Sequence, residues 1–175
     1  MAKQSSIKAF STRQQRYDFH MQLIEGIFED DYGNWPAGSY VRNPPTSQHQ
    51  PGSKEGCIIL VKLGQFDLQD RTFIHIDTQK IDSVADRQQA GVRISPLYKD
   101  ERENVRIEYW EAGTTITLVA KGGAELLVLQ GDAIEAGEVL KTHSWLRLPD
   151  GYCADFTAGA QGTKMWVKTG HLAGL

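Results

Sequence analysis

The sequence predicts an all-β protein made of two tandem barrels. Three observations carry this. Short apolar or alternating runs recur along the chain, each closed by a glycine or a Pro-Asp-Gly corner. Helical spacing shows up in only one stretch. And the chain repeats itself, one half lying over the other at an offset of 105 residues.

The elements follow in order. Residues 1–26, MAKQSSIKAFSTRQQRYDFHMQLIEG, are polar, and Lys3, Lys8, Arg13 and Arg16 precede the first acid, Asp18. Such an opening reads as a solvated tail. Residues 33–56, GNWPAGSYVRNPPTSQHQPGSKEG, are dense in proline and glycine and hold a lone His49. Behind them CIILVKL is a short β-branched run, as a buried strand requires. TFIHIDT alternates Phe73, His75 and Asp77 against Ile74 and Ile76, which makes His75 a surface or pocket-rim residue. QKIDSVADRQQAG, 79–91, has only Ile81, Val84 and Ala85 at helical spacing, enough for a linker with one turn. VRIEYWEAG then alternates Val105, Ile107 and Tyr109 against Arg106, Glu108 and Trp110. TTITLVA, ELLVLQG, SWLRLPDG and KMWVKTG complete the set. Strands this short and this regular belong to a sandwich or barrel.

The repeat gives the organisation. Gly26 falls on Gly131, Ser39-Tyr40-Val41-Arg42 on Ser144-Trp145-Leu146-Arg147, and Pro44 on Pro149. With one further residue inserted, Val61-Lys62 falls on Val167-Lys168 and Gly64 on Gly170. Two copies are too few for an open solenoid, so closed barrels are expected to remove the strand edges. The expected division is a first barrel at 1–64, a linker with a bridging strand at 65–103, and a second barrel at 104–175. The first copy is N-terminally truncated, because nothing in it matches PLYKDERENV, 96–105. Its open edges lead to the expectation of a homodimer.

Composition narrows the function. The 175 residues are 40% hydrophobic and 23% charged, as in globular proteins. A net charge of −3 argues against a nucleic-acid binder. No apolar run approaches the ~18 residues that cross a membrane, and no signal peptide is visible, so a cytoplasmic location is expected. Cys57 and Cys153 lack metal or redox spacing and are expected to be reduced. No phosphate loop or nucleophile elbow is present.

Gly38-SYVRN-Pro44-Pro45-Thr46-Ser47-Gln48-His49 resembles the second motif of cupins, G-x5-P-x-G-x2-H, with Thr46 in place of the last glycine. More narrowly, residues 30–63 together with PLYKDERENVRIEYWEAG resemble the cupin-like domain of ChrR-type anti-sigma factors. The resemblance implies a double-stranded β-helix in each half, a bicupin. It also implies a divalent-metal site made by an H-x-H pair, a carboxylate and a later histidine. Imidazoles at i and i+2 of a strand point the same way, which is why the pair has that spacing.

Those ligands are largely missing. In the second copy the H-x-H positions hold Val119 and Lys121, or Leu118 and Ala120 one residue along. Glu125 stands for the carboxylate and Ala154 for the later histidine. This half is expected to be a metal-free structural barrel. In the first copy the pair becomes Gln14 and Arg16, or Arg13 and Gln15, while His20 takes the carboxylate position and His49 remains. An arginine is a fixed positive charge and repels a metal. The candidate metal set is therefore His20 and His49, with Gln14 or Gln15 as third ligand, holding at most a weakly bound Zn, Fe, Mn or Ni. The candidate ligand pocket is His49, Arg42 and Tyr40. His143 and His171 read as structural, and no residue is assigned a catalytic role.

The expected function is a non-catalytic cupin-like module that binds a small molecule or a partner. The alternative is a metal-dependent, dioxygenase-like cupin enzyme acting on diketone-type substrates. A sigma factor is not an expected partner, because the zinc-binding N-terminal module of the anti-sigma factors is not present. No cofactor is expected beyond such an ion.

Overall fold

A computed structural model describes residues 6–7 and 18–174. The chain divides into two compact units, Met1–Ile81 and Asp82–Leu175. Among the described residues there is no helix, and none therefore long and apolar enough to cross a membrane. The stretch 79–91, read as a linker with one turn, holds a two-residue strand, Val84–Ala85, in place of a helical turn.

The first unit holds β1 (Ser6–Ile7), β2 (Phe19–Asp30), β3 (Gly33–Pro36), β4 (Ser39–Asn43), β5 (Cys57–Leu63) and β6 (Ile74–Asp77). They pair in the order β1-β5-β2-β4-β6, with β3 also on β2. All pairings are antiparallel, so hairpins and short loops suffice to connect them. One face of β2 and β4 carries Phe19, Met21, Leu23 and Val41, which pack with Phe28 and Cys57 into one core. Each such side chain stabilises the unit by roughly 2 kcal/mol when removed from water.

The second unit holds β7 (Val84–Ala85), β8 (Val92–Lys99), β9 (Asn104–Trp110), β10 (Thr115–Val119), β11 (Ala124–Glu135), β12 (Glu138–Lys141), β13 (Trp145–Leu148) and β14 (Cys153–Thr169). The order is β12-β11-β14-β9-β8-β7, with β10 on β14 and β13 on β11. β14 is long enough to serve three neighbours: its first residues pair with β10, its last with β9, and both parts with β11. The sheet curls around a core that includes Trp110, Ile116, Leu118, Leu126, Phe156 and Met165.

The internal repeat is a repeat of backbone as well as of sequence. β2, β3 and β4 correspond to β11, β12 and β13 at the 105-residue offset. Gly26 and Gly131 both have φ 76°, and a Cβ on either would overlap a carbonyl oxygen, that of Gly56 or of Gly162. Only glycine fits these two bulged crossings. Elsewhere the copies exchange residue types at a shared geometry. Thr46 has φ 72° where its counterpart Gly151 has 76°, and His143 has φ 70° where its counterpart Gly38 has 91°. Thr46 stands where the motif places glycine and adopts the backbone that glycine would adopt.

Candidate functional site

Successive residues of a strand face opposite ways, so each predicted site residue can be assigned to a face. Phe19 lies on the core face of β2, and its ring meets that of His49 at 4.7 Å between centroids. His20, the next residue, faces the other way, toward Tyr40 and Phe66, each 6.2 Å between ring centroids. His20 and His49 therefore do not converge on one ion. The proline-rich segment carries His49 to the core face, while the carboxylate position read for His20 lies on the reverse face. Gln14 and Gln15 lie outside the described residues.

The predicted pocket His49, Arg42 and Tyr40 is divided in the same way. Tyr40 and Arg42 share the face of His20. Arg42 is buried, donates to Asp70 Oδ2 at 2.5 Å and to the Thr72 carbonyl at 3.0 Å, and stacks 4.0 Å over Phe66. Burial opposes the Asp70 carboxylate, but Arg42 and the Thr72 N–H outweigh it and hold its pKa below the usual value. Arg42 acts here as a brace for the 65–72 loop.

Around His49 a different set assembles. β6 pairs with β4 so that His75 lies opposite Val41, on the core face. His75 donates from Nε2 to Asn43 Oδ1 at 3.2 Å, and its ring lies 4.4 Å from that of Trp35. Trp35 Nε1 donates to Asp30 Oδ1 at 3.0 Å. The same oxygen takes the backbone N–H of Tyr32 and of Gly33, closing the β2–β3 turn. Asn43 in turn lies opposite Phe19, which meets His49. Asp30, Trp35, His75, Asn43, Phe19 and His49 thus form a continuous chain of contacts on one face.

Along it, His49 Nδ1, Asn43 Nδ2 and Asp30 Oδ2 are buried without a hydrogen-bond partner. His49 is 2% exposed and Asn43 0%. An unmet buried polar group costs about 1–3 kcal/mol unless something pairs with it. Burial lowers the pKa of His49, against the raising effect of Asp30 and Asp31. Burial likewise lowers that of His75, against Asp30. Both shifts favour the neutral imidazole.

Among the described residues a cupin-type metal set does not come together. Among the described residues no three His, Cys, Asp or Glu side chains stand close enough to share an ion. In the second unit Leu118 of β10 and Ala120 just after it point inward, with Ala154 opposite Leu118. This decides the alternative left open by the sequence, since Val119 is exposed. All three imidazole positions there are apolar core. Glu125 faces away from that core and lies 3.1 Å from His171 Nε2. By the same offset the first-unit counterparts of Leu118 and Ala120 are Arg13 and Gln15, outside the described residues.

Asp30 and Asn43 were missed from sequence. The signal was in the repeat: Asn43 falls on Leu148 and His49 on Ala154, so the first copy is polar where the second is apolar.

Comparison with known proteins agrees with this architecture. Residues 3–67 match the model of the ChrR cupin-like domain family. No curated protein matches the chain. Among solved structures, a candidate dioxygenase from Nostoc punctiforme superposes with a TM-score of 0.73 at 14% identity, over 93% of this chain and 66% of its own. A cupin 2 conserved barrel domain protein from Leptotrichia buccalis gives 0.63 at 13% identity, over 97% and 79%. A quercetin 2,3-dioxygenase from Acinetobacter baumannii gives 0.58 at 12% identity, over 88% and 59%. The chain thus spans less than two thirds of either dioxygenase-labelled protein. At these identities the likeness is one of fold. The chain is a cupin-fold protein that, over residues 3–67, resembles the ChrR cupin-like domain.

Proposed function

We propose that the protein is a non-catalytic cupin that binds a small polar molecule in its first unit, and that its second copy has lost the metal-binding chemistry of the motif. The observation that carries this reading is the set of unmet buried groups at His49 Nδ1, Asn43 Nδ2 and Asp30 Oδ2. They ask for a ligand with at least one donor, for the carboxylate oxygen, and one acceptor, for the amide N–H. A bare divalent ion offers no acceptor to Asn43 Nδ2.

The test is a melting-temperature screen of neutral and cationic polar compounds, with metal analysis of the purified protein alongside. A ligand that binds only the folded state raises the melting temperature in a concentration-dependent way. His49→Ala should remove the rise and leave the unliganded protein folded. Stoichiometric iron, manganese, nickel or zinc in the purified protein, lost in His49→Ala, would instead favour the dioxygenase-like alternative.

A further inference from the structure

The second unit contains a cleft of about 570 Å3 that no part of the first-unit reading uses. Its size lies within the usual range of small-molecule sites. One wall is apolar, made by Ile94 and Pro96 of β8 and Ile116 and Leu118 of β10. The opposite chemistry comes from β9. Trp110 belongs to the core and faces Val92 across the β8–β9 pair; Glu108 faces Ile94 and Arg106 faces Pro96 in the same register. Arg106 and Glu108 therefore continue the core face outward into the cleft.

Their hydrogen bonds fix a charged group there. Glu108 is 5% exposed. It accepts Arg106 Nε on Oε1 and Trp110 Nε1 on Oε2, both at 2.7 Å. Arg106 Nη2 lies 2.7 Å from the same Oε1, and Nη1 reaches Thr169 Oγ1 at 3.4 Å. A guanidinium has five N–H donors, and these contacts use three. One N–H remains on each terminal nitrogen. Two neighbouring N–H groups match the two oxygens of a carboxylate. Lys99 and Lys121 also line the cleft, so three cationic side chains stand against two carboxylates, Glu108 and Asp86. Arg106 and Glu108 offset each other, which leaves Lys99 and Lys121 against Asp86.

We propose that this cleft binds a small organic carboxylate with an apolar body, the carboxylate on Arg106 and the body on Ile94, Pro96, Ile116 and Leu118. Glu108 and Trp110 act as positioning residues, since they hold the guanidinium in one orientation. The site needs no metal, and the imidazole positions beside it hold leucine and alanine.

The test uses the full chain with benzoate and octanoate, and their primary amides as uncharged controls. The carboxylates should raise the melting temperature in a concentration-dependent way, and shift the methyl resonances of Ile94 and Leu118. The amides should do so at least about 10-fold more weakly, as the loss of charge-assisted hydrogen bonds implies. Arg106→Gln should weaken carboxylate binding by about 10-fold or more. Should that variant fail to fold, because Glu108 is left unpaired, the double variant Lys99→Glu with Lys121→Glu decides. Both lysines are exposed, and reversing them should weaken binding several-fold, more at low salt. A wild-type protein indifferent to both carboxylates would overturn the proposal. So would equal responses to acid and amide, or a response that survives in every folded variant.

Discussion

The two units share a backbone path and differ in what fills it. In the first, Asn43 and His49 stand on the core face among aromatic rings, with polar atoms unmet. In the second, their counterparts Leu148 and Ala154 are buried among apolar neighbours. The glycine crossings and the hairpin order are retained in both, so the scaffold does not depend on the polar set. The copies thus differ in residue type on the core face, while the turns and crossings are held in common by geometry.

The sharpest way to break this comparison is to exchange the fillings. Leu148→Asn places the polar residue of the first unit into the apolar core of the second. It removes a packed side chain and leaves an amide unmet, at a cost of about 4 kcal/mol. Chemical denaturation should report this as a drop in midpoint at unchanged slope. The reverse change, Asn43→Leu, should cost less, about 1–2 kcal/mol, since it removes the unmet Nδ2 but also takes the acceptor from His75 Nε2. Similar losses from the two changes would mean that the faces are not different in kind.

Gly26→Ala and Gly131→Ala examine what the units share. Each adds a Cβ that overlaps a carbonyl oxygen, at a φ disfavoured for alanine. Both should destabilise by about 2–3 kcal/mol, and by similar amounts. A strong effect in one copy and none in the other would break the structural repeat.

A gentler contrast is pH. In the first unit burial holds His49 and His75 below the usual 6.5, so the unfolded chain binds protons more readily than the folded one. Their contribution to stability is complete above about pH 6.5 and is lost as the pH falls through the lowered values. His49→Gln should flatten the fall in melting temperature between pH 7 and pH 5. Ala154→Gln, its counterpart, should leave the slope of that curve as it is. An unchanged slope in His49→Gln would count against a neutral, buried His49.

The smallest expected effects concern the backbone exchange. Thr46→Gly gives the first unit the residue that the second has at Gly151, with the same left-handed φ. It should stabilise by about 1 kcal/mol, less the entropy that glycine adds to the unfolded chain. His143→Gly, matching Gly38, should act in the same direction. If Thr46→Gly instead destabilises, the threonine side chain is making a contact that outweighs its strained φ.

The parts legible in sequence were those that depend on spacing. Strand runs, closing glycines and the 105-residue repeat gave the all-β architecture. Gly26 and Gly131 could be matched before their backbone was known. The facing of residues was less legible. β4 is buried on both sides, and so is much of β9, which removes the polar-out signal that normally marks a face. Arg106 and Glu108 were read in alternation with Val105 and Ile107, but nothing showed which set faced the core. The spacing left the histidine pair uncertain by one residue, while the carboxylate position fell on His20 and Glu125, which face away from the cores. Asp30 escaped notice because its turn chemistry looks local, although its second oxygen is buried.

β14 has a consequence for how the protein is made. A ribosome delivers β9, β10 and β11 before it delivers Cys153–Thr169, yet each of the three finds a partner edge on that one strand. Until the last strand emerges, β10 has no mate and β9 and β11 each keep an open edge beside their earlier partners, the condition in which nascent chains aggregate or recruit chaperones. The first unit has its β2–β4 and β2–β5 pairs available much sooner. Translation therefore presents a unit that can close early, followed by one that must wait for its final strand.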